Sequence, residues 1–270
     1  MDVGRVRFLL GRKQPRLDEV LVEAIPGRVS QAVSRMIHVS GMRGTLGRTQ
    51  PSAAVGDTFP GTFDRYVASI VEGWQRSPAK MREVDRDMQQ LGITWKVAVV
   101  RRSDVSLELQ VARTKSPLSG EKPDLISLAD VGLGTAQVLP VVAALHAAAV
   151  GQLVYIEQPE LHLHPNAQVG LAEIIARAVE RGVRVVVETH SSLLLLGIQI
   201  QLAQGGLDAK DVRLHWFLRN ARTGKTEINT ADLHQDGTFG GWPVDFDEIQ
   251  LRQQSEFMTA LEKQHAHRRT

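Results

Sequence analysis

Hydrophobic and polar positions change their rhythm near residue 125. Before it, the segment TFDRYVASIVEGWQ (62–75) places Phe63, Tyr66, Val67, Ile70 and Val71 at helical spacing. AKMREVDRDMQQLGI (79–93) repeats that period in a more polar form. WKVAVVRR (95–102) and SLELQVAR (106–113) read as strands, the second alternating. GMRGTLGRTQPSAAVGDTFPG (41–61) reads as loop from its glycine, proline, serine and threonine content. After it, LVYI (153–156) and VRVVVET (183–189) are continuously apolar strands. PNAQVGLAEIIARAVERG (165–182) lies between them and predicts a helix. Pro165 is at its start, Leu171, Ile174, Ile175, Ala178 and Val179 lie on one face, and Gly182 ends it.

Two buried strands joined by a helix of that length predict a βαβ unit in a parallel sheet covered on both faces. In such sheets ligands meet the carboxyl ends of the strands. Glu157, Glu160, Glu188, Thr189 and His190 fall at that edge. Upstream, LISLADVGLGTAQ (125–137) is a short apolar run breaking into a glycine loop. VLPVVAALHAAAV (138–150) follows as a helix, with Pro140 expected in its first turn. His146, on that alanine-rich helix, reads as a packed histidine.

Composition narrows the class only a little. The 270 residues are 43% hydrophobic and 23% charged, ordinary for a globular protein. There is no apolar stretch of about 18 residues and no secretory leader pattern, which points to the cytoplasm and away from the membrane. The absence of cysteine removes disulfides, thiolate metal sites and cysteine nucleophiles. Net charge is only +2, but the first fifty residues carry nine basic groups, Arg5 to Arg48, against four acidic ones. That supports a nucleic-acid surface only weakly, and a solvated face or a surface for a protein partner is the plainer reading, since aromatic residues for stacking are scarce there.

The chemistry sits in EQPELHLHP (157–165). A carboxylate ending a buried strand suits Mg²⁺, usually through water, and a second one three residues on can orient a water for attack on a phosphoryl group. His162 and His164 form an H-x-H pair, but no further ligands follow at zinc spacing.

EQPELHLHP, ETHS (188–191) and DGTFGGWPVDF (236–246), with a fainter echo in MIHVSGMRG (36–44), resemble the C-terminal half of ABC-type ATPases. The branch is that of the SMC, RecF and OLD families, and closer still the bacterial AAA-type ATPases with a C-terminal domain of unknown function. The resemblance implies an α/β, ABC-ATPase-like lobe with parallel strands flanked by helices, plus antiparallel strands. It implies that Glu157 is the Mg²⁺-associated Walker B acid, Glu160 the catalytic glutamate and His190 the switch histidine. DVGLGTAQ (130–137) then supplies the signature loop, with Gly132, Gly134, Thr135 and Gln137 toward a nucleotide held by a partner. LHLHP (161–165) falls where that family's dimer-interface loop lies. Two departures stand out: Gly132 occupies about the place of the signature serine, and the first Walker B acid is Glu. By the same resemblance the chain divides into a reduced, lid-like region (1–120), the ATPase-like lobe (121–247) and a C-terminal helical tail (248–270).

A P-loop, G-x-x-x-x-G-K-[ST], is needed to hold the phosphates, and the sequence contains none. GMRGTLGRT has the wrong spacing, and RNARTGKTEIN (219–229) reads as a hairpin turn. The Walker A lobe is therefore missing. Three explanations remain open: a split ATPase completed by a P-loop-bearing protein subunit, a degenerate non-hydrolysing binding or regulatory module, or a truncated product. The first makes the chain one part of an oligomer using ATP and Mg²⁺, in settings such as DNA transactions or antiphage defence.

Overall fold

A computed structural model describes residues 5–10 (backbone only), 33–43, 47–114 and 124–240. The tail 248–270 and most of DGTFGGWPVDF lie outside the described residues.

The two apolar runs form β7 (Leu153–Glu157) and β8 (Arg184–Thr189), paired in parallel from Leu153 opposite Arg184 to Glu157 opposite Glu188. Val154, Ile156, Val185 and Val187 are fully buried. The crossover between them is α4 (Pro165–Glu180). Proline opens it, where no amide donor is needed, and the His164 Nδ1 accepts from the Asn166 amide at 3.3 Å. Its end is a Schellman motif. Gly182, at φ +89°, donates to Val179, and Val183 donates to Ala178. Its apolar face buries Leu171, Ile174, Ile175, Ala178 and Val179, as the spacing predicts.

β2 (Ile37–Val39) adds to β7 in parallel, so β2, β7 and β8 present their carboxyl ends along one edge. On the far side of β8 the sheet changes direction. β1 (Arg5–Leu10) pairs antiparallel to β8 and to β9 (Val212–Arg219). β10 (Thr226–Leu233) and the short β11 (Phe239–Gly240) complete seven strands in the order β11-β10-β9-β1-β8-β7-β2. RTGKT is the tip of the β9–β10 hairpin, with Gly224 at φ +68°, and lies away from any strand-to-helix junction. A second, antiparallel sheet contains β3 (Gln50–Pro51), β4 (Val97–Ser103), β5 (Ser106–Ala112) and β6 (Leu125–Ser127).

The remaining helices are α1 (Val67–Trp74), entered through a 3-10 turn at Phe63–Tyr66, α2 (Pro78–Gln90), α3 (Leu133–Ala147) and α5 (Ser192–Ala203). α3 corrects one expectation: Pro140 is its eighth residue, not part of its first turn. An interior proline costs a helix about 3 kcal/mol. Here every residue from Ala136 to His146 is buried, and that packing outweighs the lost hydrogen bond. α5 lies so close to α4 that a Cβ on Gly197 would come within 2.7 Å of the Val169 carbonyl oxygen.

One buried polar cluster ties the helices of the first region to the sheet's own. Asp87 of α2 accepts from Arg177 of α4 at 2.8 Å and pairs with His146 Nε2 of α3 at 2.7 Å. His146 is therefore the packed histidine its surroundings suggest. Burial alone would raise the Asp87 carboxyl. The hydrogen bond from His146 and the charges of His146 and Arg177 outweigh it and hold the group below its ordinary value. A carboxyl lowered in the folded state gives stability that is present above the unfolded value of about 3.9 and lost as pH falls through the folded value. Asp87→Asn should cost about 3–5 kcal/mol at neutral pH. In urea titrations the gap between Asp87→Asn and wild type should narrow below about pH 4, and a constant gap down to pH 2 would contradict the assignment.

Candidate active site at the carboxyl edge of the sheet

Immediately after β7 the chain leaves its extended path. Gln158 has φ +42°, a conformation uncommon for a residue with a Cβ, and Pro159 follows it. The turn survives because its polar groups are held. The Gln158 amide donates to the Glu188 carbonyl at 2.7 Å, and its own carbonyl accepts from Arg43 at 3.0 Å. A second left-handed residue, His162 at φ +62°, folds the loop back so that Leu163 is buried.

That path brings the predicted residues Glu157, Glu160 and His190 to one edge. Glu160 Oε1 accepts from the His190 backbone amide at 2.9 Å, joining the β7 turn to the end of β8. Glu160 Oε2 and His190 Nδ1 are buried and have no hydrogen-bond partner among the described residues. Both Glu157 oxygens are engaged: Oε1 by His38 Nε2 and Oε2 by the Gly41 amide, each at 3.0 Å. His38 stacks on Tyr155 at 5.1 Å between ring centres, and the Tyr155 hydroxyl donates to Glu188 at 3.1 Å. A Cβ on Gly41 would lie 3.3 Å from the Glu157 Cβ, so a glycine suits this approach.

The predicted glycine loop lies beside this edge. Gly132 caps α3, and Thr135 donates its amide to the Gly132 carbonyl at 3.1 Å. A Cβ on Gly134 would meet the His162 carbonyl oxygen at 2.7 Å, so the glycine loop and the LHLHP loop touch through backbone. Gln137 goes elsewhere. It is 5% exposed, and both ends of its amide engage Arg43: Oε1 accepts from Nε at 3.2 Å and Nε2 donates to the carbonyl at 2.6 Å. In this structure its amide faces inward, onto Arg43.

Sequence reasoning missed Arg43, His38 and Asp64. The echo noted in MIHVSGMRG was the available signal for the first two. Burial lowers the Arg43 guanidinium, and the charges of Asp64, Glu160 and Glu157 pull it back. Burial raises the Asp64 carboxyl, opposed by Arg43 and His38.

No group of three or more His, Asp or Glu among the described residues is arranged to hold a metal ion. The donor set nevertheless fits Mg²⁺ bound in part to phosphate. That ion keeps several waters, and Glu157, with both oxygens already accepting, would meet it through water. Glu160 Oε2 and His190 Nδ1 are polar atoms suited to a water and a phosphate oxygen.

The fold and its edge define a mixed α/β domain with the parallel strands β2, β7 and β8 flanked by helices. Residues 96–196 match the family described as "AAA domain, putative AbiEii toxin, Type IV TA system", a stretch that includes the glycine loop, Glu157, Glu160 and His190. The chain is also similar to a solved structure described under "Structural biochemistry of ATP-driven dimerization and DNA stimulated activation of SMC ATPases". Identity there is 12%, over 60% of this chain and 88% of that one, with a TM-score of 0.39, a loose overlap. Among curated proteins none matches significantly. No described helix is long and apolar enough to cross a membrane.

The contact at Gly134 makes a direct prediction. Alanine there gains up to about 1 kcal/mol of helix propensity, but overpacking against backbone costs about 1–3 kcal/mol. Gly134→Ala should therefore lower the melting temperature, and an unchanged or raised value would show that the two loops are not in contact.

Proposed function

We propose that this chain is an ATPase subunit that supplies the glycine loop, two carboxylates and a histidine to ATP bound together with a P-loop-bearing partner. The observation that carries the reading is the convergence of Glu157, Glu160 and His190 on one edge, with Glu160 hydrogen-bonded to the His190 amide and left with a buried, unpartnered oxygen. The match of residues 96–196 to an AAA domain supports it.

In this reading Glu160 accepts a hydrogen bond from the attacking water and holds it in line with the γ-phosphate. His190 meets a γ-phosphate oxygen through its ring. Glu157, fixed by His38 and Gly41, orients a water of the Mg²⁺ shell. The bound ion would neutralise the phosphate charge that develops during transfer. Gly132, Gly134 and Thr135 face the nucleotide from the partner's side, as the family resemblance implies, and Gln137 supports them through Arg43. DNA transactions or antiphage defence are the settings the resemblance suggests.

A degenerate, non-hydrolysing module is the second reading, and one observation favours it. A parallel sheet divided between two chains should leave a long strand edge open, yet β1 covers the β8 side and the three-residue β2 is the edge on the other. A partner would then approach over the carboxyl edge instead of adding a strand to β8.

Alone, the chain should bind ATP and Mg²⁺ weakly and hydrolyse none, because it lacks a phosphate cradle. Micromolar binding by calorimetry would reveal a nucleotide site in this chain itself. Purification from the native host, with mass spectrometry of co-eluting proteins, should recover a P-loop protein; a lone soluble monomer would favour the second reading. In the complex, Glu160→Gln should lower hydrolysis by on the order of 10² or more while ATP binding persists. Glu157→Gln should weaken the Mg²⁺ dependence of binding, and His190→Ala should slow turnover with a modest loss of affinity. An unchanged rate in Glu160→Gln would remove the catalytic reading.

A further inference from the structure

Arg43 is the only arginine or lysine buried among the described residues, at 4% exposure. A lone buried guanidinium is costly, so what it touches carries information. No ion pair among the described residues satisfies it: Asp64, the first of its favourable charges, leaves Oδ1 without a hydrogen-bond partner there. Its bonds go to backbone and amide oxygens. Nη1 donates to the carbonyls of Ser40 (3.2 Å) and Glu157 (3.1 Å). Nη2 donates to the carbonyl of Gln158 (3.0 Å), and Nε donates to Gln137 (3.2 Å).

Two of those acceptors flank the left-handed turn. Gln158 is held at φ +42° immediately before a proline, a backbone state that persists only when its surroundings over-determine it. The fourth acceptor stands in the opening turns of α3, whose Gly134 is pressed on the same loop at His162. We infer that Arg43 is a positioning residue. It clamps the Gln158 peptide in its left-handed conformation, which sets Glu157 and Glu160 on either side of it. Through Gln137 it also ties that acidic turn to the glycine loop, so that the two halves of the site move as one body. A planar fork reaching three carbonyls and an amide is a task for arginine; the ammonium of lysine cannot match it. The structural assignment stands on these contacts alone, and only its kinetic consequence rests on the proposed function.

The test is hydrogen exchange by mass spectrometry on the full chain. Arg43→Gln should speed exchange over residues 157–163 by about tenfold, the scale of losing charge-assisted bonds to a loop, and leave the hairpin at 212–233 unchanged. Glycine adopts positive φ without penalty, so adding Gln158→Gly should bring exchange at 157–163 back toward wild type. Should Arg43→Gln fail to fold, Arg43→Lys carries the same pair of expectations. Uniform acceleration across the chain, or no rescue by Gln158→Gly, would overturn the clamp and leave Arg43 a packing residue. In an ATP-hydrolysing complex, Arg43→Gln should lower kcat with little change in KM for ATP, and Gln158→Gly should restore part of it. If the complex with the wild-type chain hydrolyses nothing, the functional reading fails, while the exchange result still decides the role of Arg43.

Discussion

Past the end of β7, the Gln158 amide reaches the Glu188 carbonyl at 2.7 Å and extends the β7–β8 pairing by one bond. Everything at the edge hangs from that bond. It holds the chain beside β8 while φ +42° and Pro159 turn it out of the strand, and the next turn brings Glu160 onto the His190 amide. A slip of one residue in the parallel register would send Glu157 to the opposite face of the sheet. Its bonds to His38 and Gly41 would be lost together. The register is safe because Val154, Ile156, Val185 and Val187 are fully buried, and a slip would expose them.

Rigid surroundings then keep the edge in place. Ser191 caps α5 by accepting from Leu194 at 3.0 Å, and its hydroxyl donates to Gln168 of α4 at 2.6 Å. The residue after His190 is thus fastened to the crossover helix. On the other flank, α3 is buried along most of its length and meets the LHLHP loop through Gly134. Side chains mounted on strand ends and locked helices keep closer geometry than side chains on free loops. Exposed positions such as Met42 lie next to the site without forming it.

The βαβ unit was legible because each of its signals is local and strong: two uninterrupted apolar runs, a proline start and a glycine stop. Glu157, Glu160 and His190 followed, since strand ends in a parallel unit share an edge. What pattern could not show was pairing across distance. Nothing in RVRFLL states that β1 runs antiparallel between β8 and β9, because strand direction is set by the connections and not by period. His38, Gly41 and Arg43 come from a stretch that reads as a short apolar run and a loop, and they acquire meaning only once β2 is laid beside β7. Pro140 misled for a related reason: local propensity argues against an interior proline, and burial on every side overrides it. Gln137 was placed toward a nucleotide by motif position, but a buried arginine more than ninety residues away in sequence takes its amide.

The antiparallel β1 also limits how the site could be completed. Sheet extension at β8 is closed, and β2 is a short edge on the other side. The unpartnered Glu160 oxygen and His190 ring nitrogen sit with the carboxyl ends, not along either side edge. Under the proposed function, then, a phosphate cradle must come over the top of the strands, as a separate surface facing Glu160 and His190. Such an approach leaves the sheet intact and places the burden of alignment on the turn at Gln158 and the glycine loop against it. Two loops that must meet a nucleotide from outside gain most from being fixed to each other beforehand, because ordering them at the moment of binding would cost affinity. The backbone contact at Gly134 and the bonds of Arg43 provide that fixing.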